Sequence, residues 1–553
     1  MPRKLNRSER AWVDKTLDAM SLEQKIGQCM CTWYGPDFRK RHREILARIE
    51  PGTIFISDWE KEGIGKAAGR LRAHMDTPPL IAMDMEAGAP GGVRFPAAMG
   101  CSAGSAPGLM RRRGAVTAQE ARALGVHWSF APCVDIPVNP QNLEVNNRAW
   151  GQDAETIAAY TIPLIKGMQR NGRLAATAKH FPGAGVDDRD QHICTAVNSL
   201  GMKRWRETFG QVWKAVIDAG VYSIMAGHIS LPAFSGLSRR PWEALPATLD
   251  RRLMIELLRE ELGFEGVIVS DAFSMCGFAS RVRKGDEEGS YLAAGGDSCL
   301  NDDPVAGLAS CVQWLREKKL TEDRIEDAAR RVLELKARLR IVQEPACPPP
   351  SKEERDSAVA LGRKLAENAV TIQRNDGTLP LELPRGARIL TVTLCKTDPR
   401  EKHRDSKLGV IDAELRRRGF SVDNVTTPEA SVLHKASREY DAVLVNITVG
   451  MHSTLGSIRI IDRMVASLWG AFWTGGTAQV VFTSFASPYH LYEYPHWPNM
   501  VLTHGSSDDA QRAVVKVWLG ETAVRGKWRF DMPRMVECGM RIADYSLRSP
   551  SSD

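Results

Sequence analysis

The densest set of proton-moving groups in the chain lies in one short segment, Lys179–His192, which reads KHFPGAGVDDRDQH. Lys179 and His180 close an apolar run, and Pro182, Gly183 and Gly185 then force an irregular loop that ends in Asp190-Gln191-His192. A carboxylate placed just before a histidine can accept from its ring, fix the tautomer and raise its basicity. An imidazole with an unperturbed pKa of about 6.5 is suited to giving and taking protons at neutral pH. The glycines also permit a loop that carries His192 to a substrate only on closing. The competing reading is a solvated acidic loop with Asp187, Asp188 and Asp190 all in water, and spacing alone leaves both open.

Asp271 follows the apolar run Gly266–Ser270. In that position a carboxylate serves as nucleophile, base or metal ligand, or simply caps the next helix. The metal reading is the weaker, because no HExxH, clustered Cys/His or EF-hand loop accompanies it, and no metal or cofactor is expected. Asp84-Met85-Glu86 ends another apolar run ahead of a glycine-rich stretch to Arg94, and Arg148 sits in NNRAWG. Carboxylates accept from hydroxyl groups and guanidinium donates to oxygens, so these residues suit a polyhydroxylated ligand such as a sugar. A structural ion pair is the alternative for Arg148. One or more of the 14 tryptophans could stack on such a ligand, although core packing accounts for most tryptophans.

These residues need elements to hold them. Eight strand-like runs occur: Gln28–Trp33, Thr53–Ser57, Leu80–Asp84, His127–Cys133, Ala175–Phe181, Tyr222–His228, Gly266–Ala272 and Gly296–Asn301. Helical periodicity fills most of the intervals, as in Lys61–Met75, Asp153–Gln169, Lys203–Ala219 and Leu249–Leu262. Strands alternating with helices in this number point to an α/β fold with a (β/α)8 barrel of the TIM type. Asp84, Lys179 with His180, His228 and Asp271 then fall at the ends of the third, fifth, sixth and seventh strands, the end where barrel active sites lie. The proline-rich Pro345–Ser351 breaks the helical pattern and marks a link to a second domain. Beyond a helical stretch at Glu353–Val370, apolar runs at Ala387–Leu394, Tyr440–Thr448, Thr477–Phe485 and Asn499–His504 predict a smaller α/β sandwich domain with a mostly parallel sheet. The expected division is a barrel over 1–343, a linker over 344–382 and the second domain over 383–553. His452, in a glycine-flanked loop of that second domain, could face the barrel mouth, but a plain loop residue is the favoured reading.

Bulk properties agree with a globular enzyme. Of the 553 residues, 43% are hydrophobic and 25% charged, and the net charge of +7 is a mild excess at this length. Basic residues are not interleaved with aromatics, so no nucleic-acid partner is expected. The 11 cysteines are scattered without CxxC pairs and read as buried free thiols of a reducing compartment. With no apolar signal segment and no run near the ~20 residues of a membrane span, a cytoplasmic location without membrane attachment is expected.

Lys179–His192 resembles the K-H-[FI]-P-G-x-G-x4-D-x-H signature of glycoside hydrolase family 3, in its β-N-acetylglucosaminidase branch. GVIVSDAFSM (Gly266–Met275) is similar to that family's nucleophile strand, Leu80–Phe95 to its D-x-E-G-G…R-F segment, and Phe130–Gly151 to its A-P-x-x-D…N…R-x-[FW]-G segment. TIQRNDGTLPL in the linker and the stretch from Gly520 to Pro533 extend the likeness over nearly the whole chain. The resemblance implies Asp271 as nucleophile, His192 as acid/base and Asp190 as its partner. It also implies Asp84, Arg94, Arg148, Lys179 and His180 as ligands of the non-reducing-end sugar, and His228 is placed with them. The reaction implied is a retaining hydrolysis of terminal β-linked N-acetylglucosamine, on small carbohydrates such as cell-wall or chitin fragments. Phosphorolysis by the same residues and a non-catalytic sugar-binding role are the alternatives. The sequence departs from the pattern at Ala184, where the signature has His, and at Ala87, with Ala89-Pro90 inserted ahead of Arg94. Oligomeric state is not legible.

Overall fold

The computed structural model describes residues 3–530 apart from 36–38, 42–43, 47–48, 58–60, 73–74, 302, 344–346, 396–407 and 451–458. His452 lies outside the described residues. By their contacts the residues form two units: 1–93, 107–137 and 152–358 make the first, and 94–106, 138–151 and 359–553 the second.

The first unit is built on β1 (Met30–Trp33), β2 (Thr53–Phe55), β3 (Leu80–Met83), β4 (Trp128–Ser129), β5 (Ala175–Phe181), β6 (Ala196–Val197), β7 (Ser223–Ala226), β8 (Ile229–Ser230), β9 (Val267–Ser270) and β10 (Cys299–Asn301). Eight of these pair side by side in the order β10-β1-β2-β3-β4-β5-β7-β9. The pairings among them are parallel. A parallel bridge between Val269 and Ser298 joins the two ends of the row, so the sheet closes as the expected (β/α)8 barrel. All eight expected strands are present, most of them shortened at their ends. The largest loss is at His127–Cys133, where regular pairing stops after Ser129 ahead of Pro132, a residue without an N–H to give to a ladder. The expected helix Lys203–Ala219 runs as Met202–Trp205, a wide π turn over Arg206–Gly210, and Gln211–Asp218.

The remaining pair, β6 and β8, forms a two-stranded parallel ribbon. It ties the segment after His192 to the segment after β7, with the Ala196 amide donating to the His228 carbonyl at 3.2 Å and the Asn198 amide to that of Ser230 at 2.9 Å.

The second unit holds a six-stranded sheet of β11 (Thr371–Arg374), β12 (Arg388–Leu394), β13 (Ser421–Thr426), β14 (Ala442–Ile447), β15 (Gln479–Ser484) and β16 (Met500–Leu502), in the order β11-β16-β15-β14-β12-β13. Only β11 runs antiparallel to its neighbour. Alternate residues feed two cores: Leu390, Val392, Val443 and Val445 point to one face, and Ile389, Ala442 and Leu444 to the other. A sheet covered on both faces accounts for the nearly continuous apolar runs read in the sequence. β13 escaped that reading because it is an edge strand with mostly exposed polar residues.

Candidate active site

Asp271 is the first residue beyond β9, and its amide donates to the Ala226 carbonyl at 3.0 Å. Its side chain is 14% exposed. Oδ1 accepts from the Ala272 amide at 2.9 Å, and Oδ2 accepts from Gln191 Nε2 at 3.1 Å. Nε2 of His180 lies 3.8 Å from Oδ2. The helix that follows, Cys276–Ala279, has Met275 at its N-cap, so Asp271 is not held there as a cap. Burial pushes the Asp271 carboxyl up, but electrostatic attraction to the neighbouring His180, His228, His192 and Lys179 side chains together brings it below its usual value.

The loop after β5 supplies the dyad. Asp190 is buried, with 1% of its side chain exposed, against 38% for His192. Asp190 Oδ1 accepts from the His192 amide at 2.9 Å and meets His192 Nδ1 at 2.6 Å. That contact places the ring proton on Nδ1 and leaves the basic lone pair on Nε2. The solvated-acidic-loop reading therefore fails for Asp190, although Asp188 is exposed. Asp187 is tied down as well, accepting from Arg189 at 2.7 Å and from the Val197 amide at 2.9 Å. Two glycines let the loop seat. A Cβ on Gly183, whose φ is +130°, would stand 2.1 Å from Phe209, and one on Gly277 would stand 2.4 Å from the Gln191 carbonyl. In the arrangement that results, the Gly277 amide donates to Gln191 O at 3.1 Å, the Cys276 amide to His192 O at 3.0 Å, and Thr195 Oγ1 to Gly277 O at 2.8 Å.

The end of β5 turns two more side chains to this place. Lys179 Nζ lies 2.8 Å from Asp84 Oδ1 and 3.0 Å from Glu86 Oε1. This draws the ends of β3 and β5 together, and Asp84 remains open to solvent on one side. His180 Nδ1 donates to Asp135 Oδ2 at 2.8 Å, which turns Nε2 toward Asp271. Asp135 also takes the amides of His180 and Ala184, at 3.2 and 2.7 Å from Oδ1, and lies 3.1 Å from Cys133 Sγ. Cys133, Asp135 and His180 come within 4.8 Å of one another, a spacing a metal could use. With this many donors already on Asp135, they form a filled hydrogen-bond network.

His228 is fully buried, with Nδ1 3.0 Å from Thr248 Oγ1 and Nε2 2.9 Å from the Ala272 carbonyl. A carbonyl only accepts, so Nε2 carries the proton and Nδ1 accepts from Thr248. Burial pulls this ring down to about 4, against the pull of Asp271. It is therefore neutral at pH 7, and both nitrogens are engaged with protein rather than turned to a ligand. His228, expected among the sugar ligands, is held by these two partners next to the residue that follows Asp271. Arg94 and Arg148 belong to the second unit. There Arg94 is exposed, and Arg148 ends the turn Asn146–Arg148 with Nη1 donating to Glu144 O at 3.1 Å.

The first unit thus brings together Asp271, His192, Asp190, Lys179, His180 and Asp84. Reading the sequence gave no role to Gln191, Asp135 or Thr248, and Glu86 was read only as a carboxylate suited to hydroxyl groups. Asp135 and Glu86 lay inside the compared segments, whereas Gln191 was a spacer between two named residues.

A sequence model described as glycosyl hydrolase family 3 N terminal domain matches residues 21–335. The chain belongs to glycosyl hydrolase family 3. It is 31% identical over 544 residues to a Cellulomonas fimi protein named beta-N-acetylglucosaminidase/beta-glucosidase, covering 93% of this chain and 94% of that one. A beta-hexosaminidase of Stenotrophomonas maltophilia (strain K279a) is 34% identical over 192 residues, 35% of this chain and 54% of its own. Among solved structures, beta-glucoside phosphorylase BglX bound to 2FGlc superposes with a TM-score of 0.87 at 26% identity, covering 96% of this chain and 97% of that one. A family 3 beta-N-acetylglucosaminidase from Paenibacillus sp. str. FPU-7 gives 0.79 at 25% identity, covering 92% and 98%. This family 3 protein is a glycoside hydrolase by that membership. No helix among its described residues is long and apolar enough to cross a membrane.

Proposed function

We propose that the protein is a retaining β-N-acetylglucosaminidase that releases terminal β-linked N-acetylglucosamine from cell-wall or chitin-derived fragments. The 2.6 Å contact between Asp190 and His192, on a loop docked against the strand end that carries Asp271, is the observation behind it. Asp271 attacks the anomeric carbon while protonated His192 gives its proton to the glycosidic oxygen. The carbon–oxygen bond breaks, the aglycone leaves as an alcohol, and a glycosyl–aspartate ester remains. Neutral His192 then takes a proton from water, the water oxygen attacks the same carbon, and Asp271 departs as carboxylate. Asp190 orients the ring and stabilises the imidazolium of each cycle. Asp84, Lys179 and His180 bind the sugar, and His228 supports the backbone beside the nucleophile. The names of the Cellulomonas and Paenibacillus relatives support the choice of sugar. The ten cysteines among the described residues, all free, support a cytoplasmic location.

The test is hydrolysis of an aryl β-N-acetylglucosaminide by the wild type and by Asp271→Ala. An inactive wild type, or full rate in the variant, rejects the assignment.

Phosphorolysis is the second reading, favoured by the histidine itself. A carboxylate base repels an incoming phosphate dianion, and a neutral imidazole does not. The name of the BglX relative points the same way. Turnover in phosphate buffer separates the two: sugar 1-phosphate supports phosphorolysis, and free sugar alone at high phosphate excludes it.

A further inference from the structure

Gln191 stands between the two members of the dyad, yet its side chain turns away from both. Nε2 donates to Asp271 Oδ2 at 3.1 Å, and Oε1 accepts the His228 amide at 2.6 Å. Its backbone carbonyl takes the Gly277 amide at 3.1 Å, and the side chain is fully buried. One residue therefore spans the acid/base loop, the end of β7 and the end of β9. From this geometry we infer that Gln191 is a positioning residue for the nucleophile, coupling the carboxylate of Asp271 to the seating of the His192 loop.

The inference rests on the glycosidase reading of Asp271. A carboxylate in the glycosylation step must be ionised and aimed, and in the second step it is the leaving group. An amide N–H directed at Oδ2 favours the charged form in both. Unlike lysine or arginine, the amide adds no net charge, so it orients the carboxylate without the full coulombic penalty to nucleophilicity. The charged and titratable groups facing Asp271 are His180, His228, His192 and Lys179. Unlike His180, His228 and Lys179, Gln191 contacts the carboxylate from within the acid/base loop, so any displacement of that loop also removes a hydrogen bond from the nucleophile.

Gln191→Glu keeps an acceptor for the buried His228 amide but replaces the donor with a carboxylate beside Asp271. Gln191→Met removes both polar ends at similar volume. On an aryl β-N-acetylglucosaminide, each variant is expected to lose about 10- to 100-fold in kcat with a smaller change in KM, the loss of one hydrogen bond to a charged group. Gln191→Glu is further expected to move the acidic limb of kcat/KM to higher pH, since like charge disfavours ionisation of the nucleophile. A purely structural residue would lower the melting temperature and leave that limb in place. If both variants fold and keep kcat within twofold of wild type with an unmoved limb, the inference is overturned. Loss of activity in Asp271→Ala alongside that result leaves the glycosidase reading intact. Full activity in Asp271→Ala overturns that reading first.

Discussion

Asp271, partly buried, and Asp297, fully buried, are carboxylates of adjoining strands, one just beyond β9 and the other just before β10, and their surroundings differ in kind. Asp297 meets Arg259 at 2.5 Å, Arg324 at 2.7 Å and Arg331 at 3.6 Å, and accepts from the Ile268 amide at 2.8 Å. Burial raises its carboxyl, and the three guanidinium groups override that and hold it below its usual value. Arg259, although burial brings it down to about 10, stays charged at neutral pH. Asp271 is held low as well, but by imidazoles, a lysine and one amide, with part of its surface open. Forked, permanently charged partners fix a carboxylate and use up its lone pairs. Partners that titrate or merely donate keep it ionised and still able to attack a carbon. The same residue type is thus a brace at the start of a strand and, on the proposed mechanism, a reagent at the end of one, in keeping with the division of labour in such barrels.

The sharpest test of this contrast is Asp271→Ala. Activity is expected to fall by at least about 10⁴-fold while the melting temperature stays near that of wild type, read by initial rates and thermal unfolding. His192→Ala comes next, with a loss of about 10²- to 10⁴-fold. With a good aryl leaving group it should show a burst of phenol followed by slow turnover, because breakdown of the glycosyl-enzyme lacks its base. An unchanged steady state would remove His192 from the mechanism. Asp297→Ala should invert the pattern. Stability is expected to drop by about 3–5 kcal/mol in denaturant melts, since three partly buried guanidinium groups lose a shared, fully buried counter-charge, while the folded fraction keeps its kcat. The smallest effect is in acid. Asp297 has a folded value below the ordinary 3.8, so its stabilisation is complete above that value and is lost as pH falls through the lowered one. Urea melts between pH 6 and the acid limit should therefore show a shallower decline for Asp297→Asn than for wild type.

Much of the barrel was legible because periodicity is a local property. Ala175–Phe181 was read with both ends correct, and Asp271, His180 and Asp84 fell where strand ends were expected. β13 was not legible, since Ser421–Thr426 has no apolar run and pairs only along one edge. Asp135 carried no signal of its role, because its partner His180 is 45 residues away. Gln191 was passed over for the opposite reason: it lay inside the most informative segment, but its partner Asp271 is 80 residues distant. His228 was expected among the ligand residues at a strand end, and its burial and its two partners, Thr248 and the Ala272 carbonyl, were visible only in the tertiary structure.

The sequence by itself determined the alternation of strands and helices in the barrel and the closeness of Asp190 to His192 along the chain. Both follow from contacts a few residues long, set by backbone geometry and the turn chemistry of the glycine-containing loop. Only the tertiary structure decided which of the acidic residues in that loop is buried, what surrounds each aspartate, and therefore which carboxylate is locked among guanidinium groups and which keeps part of its surface open. A buried charge is governed by the groups packed around it, and in a barrel those groups arrive from strands and loops far apart in the chain.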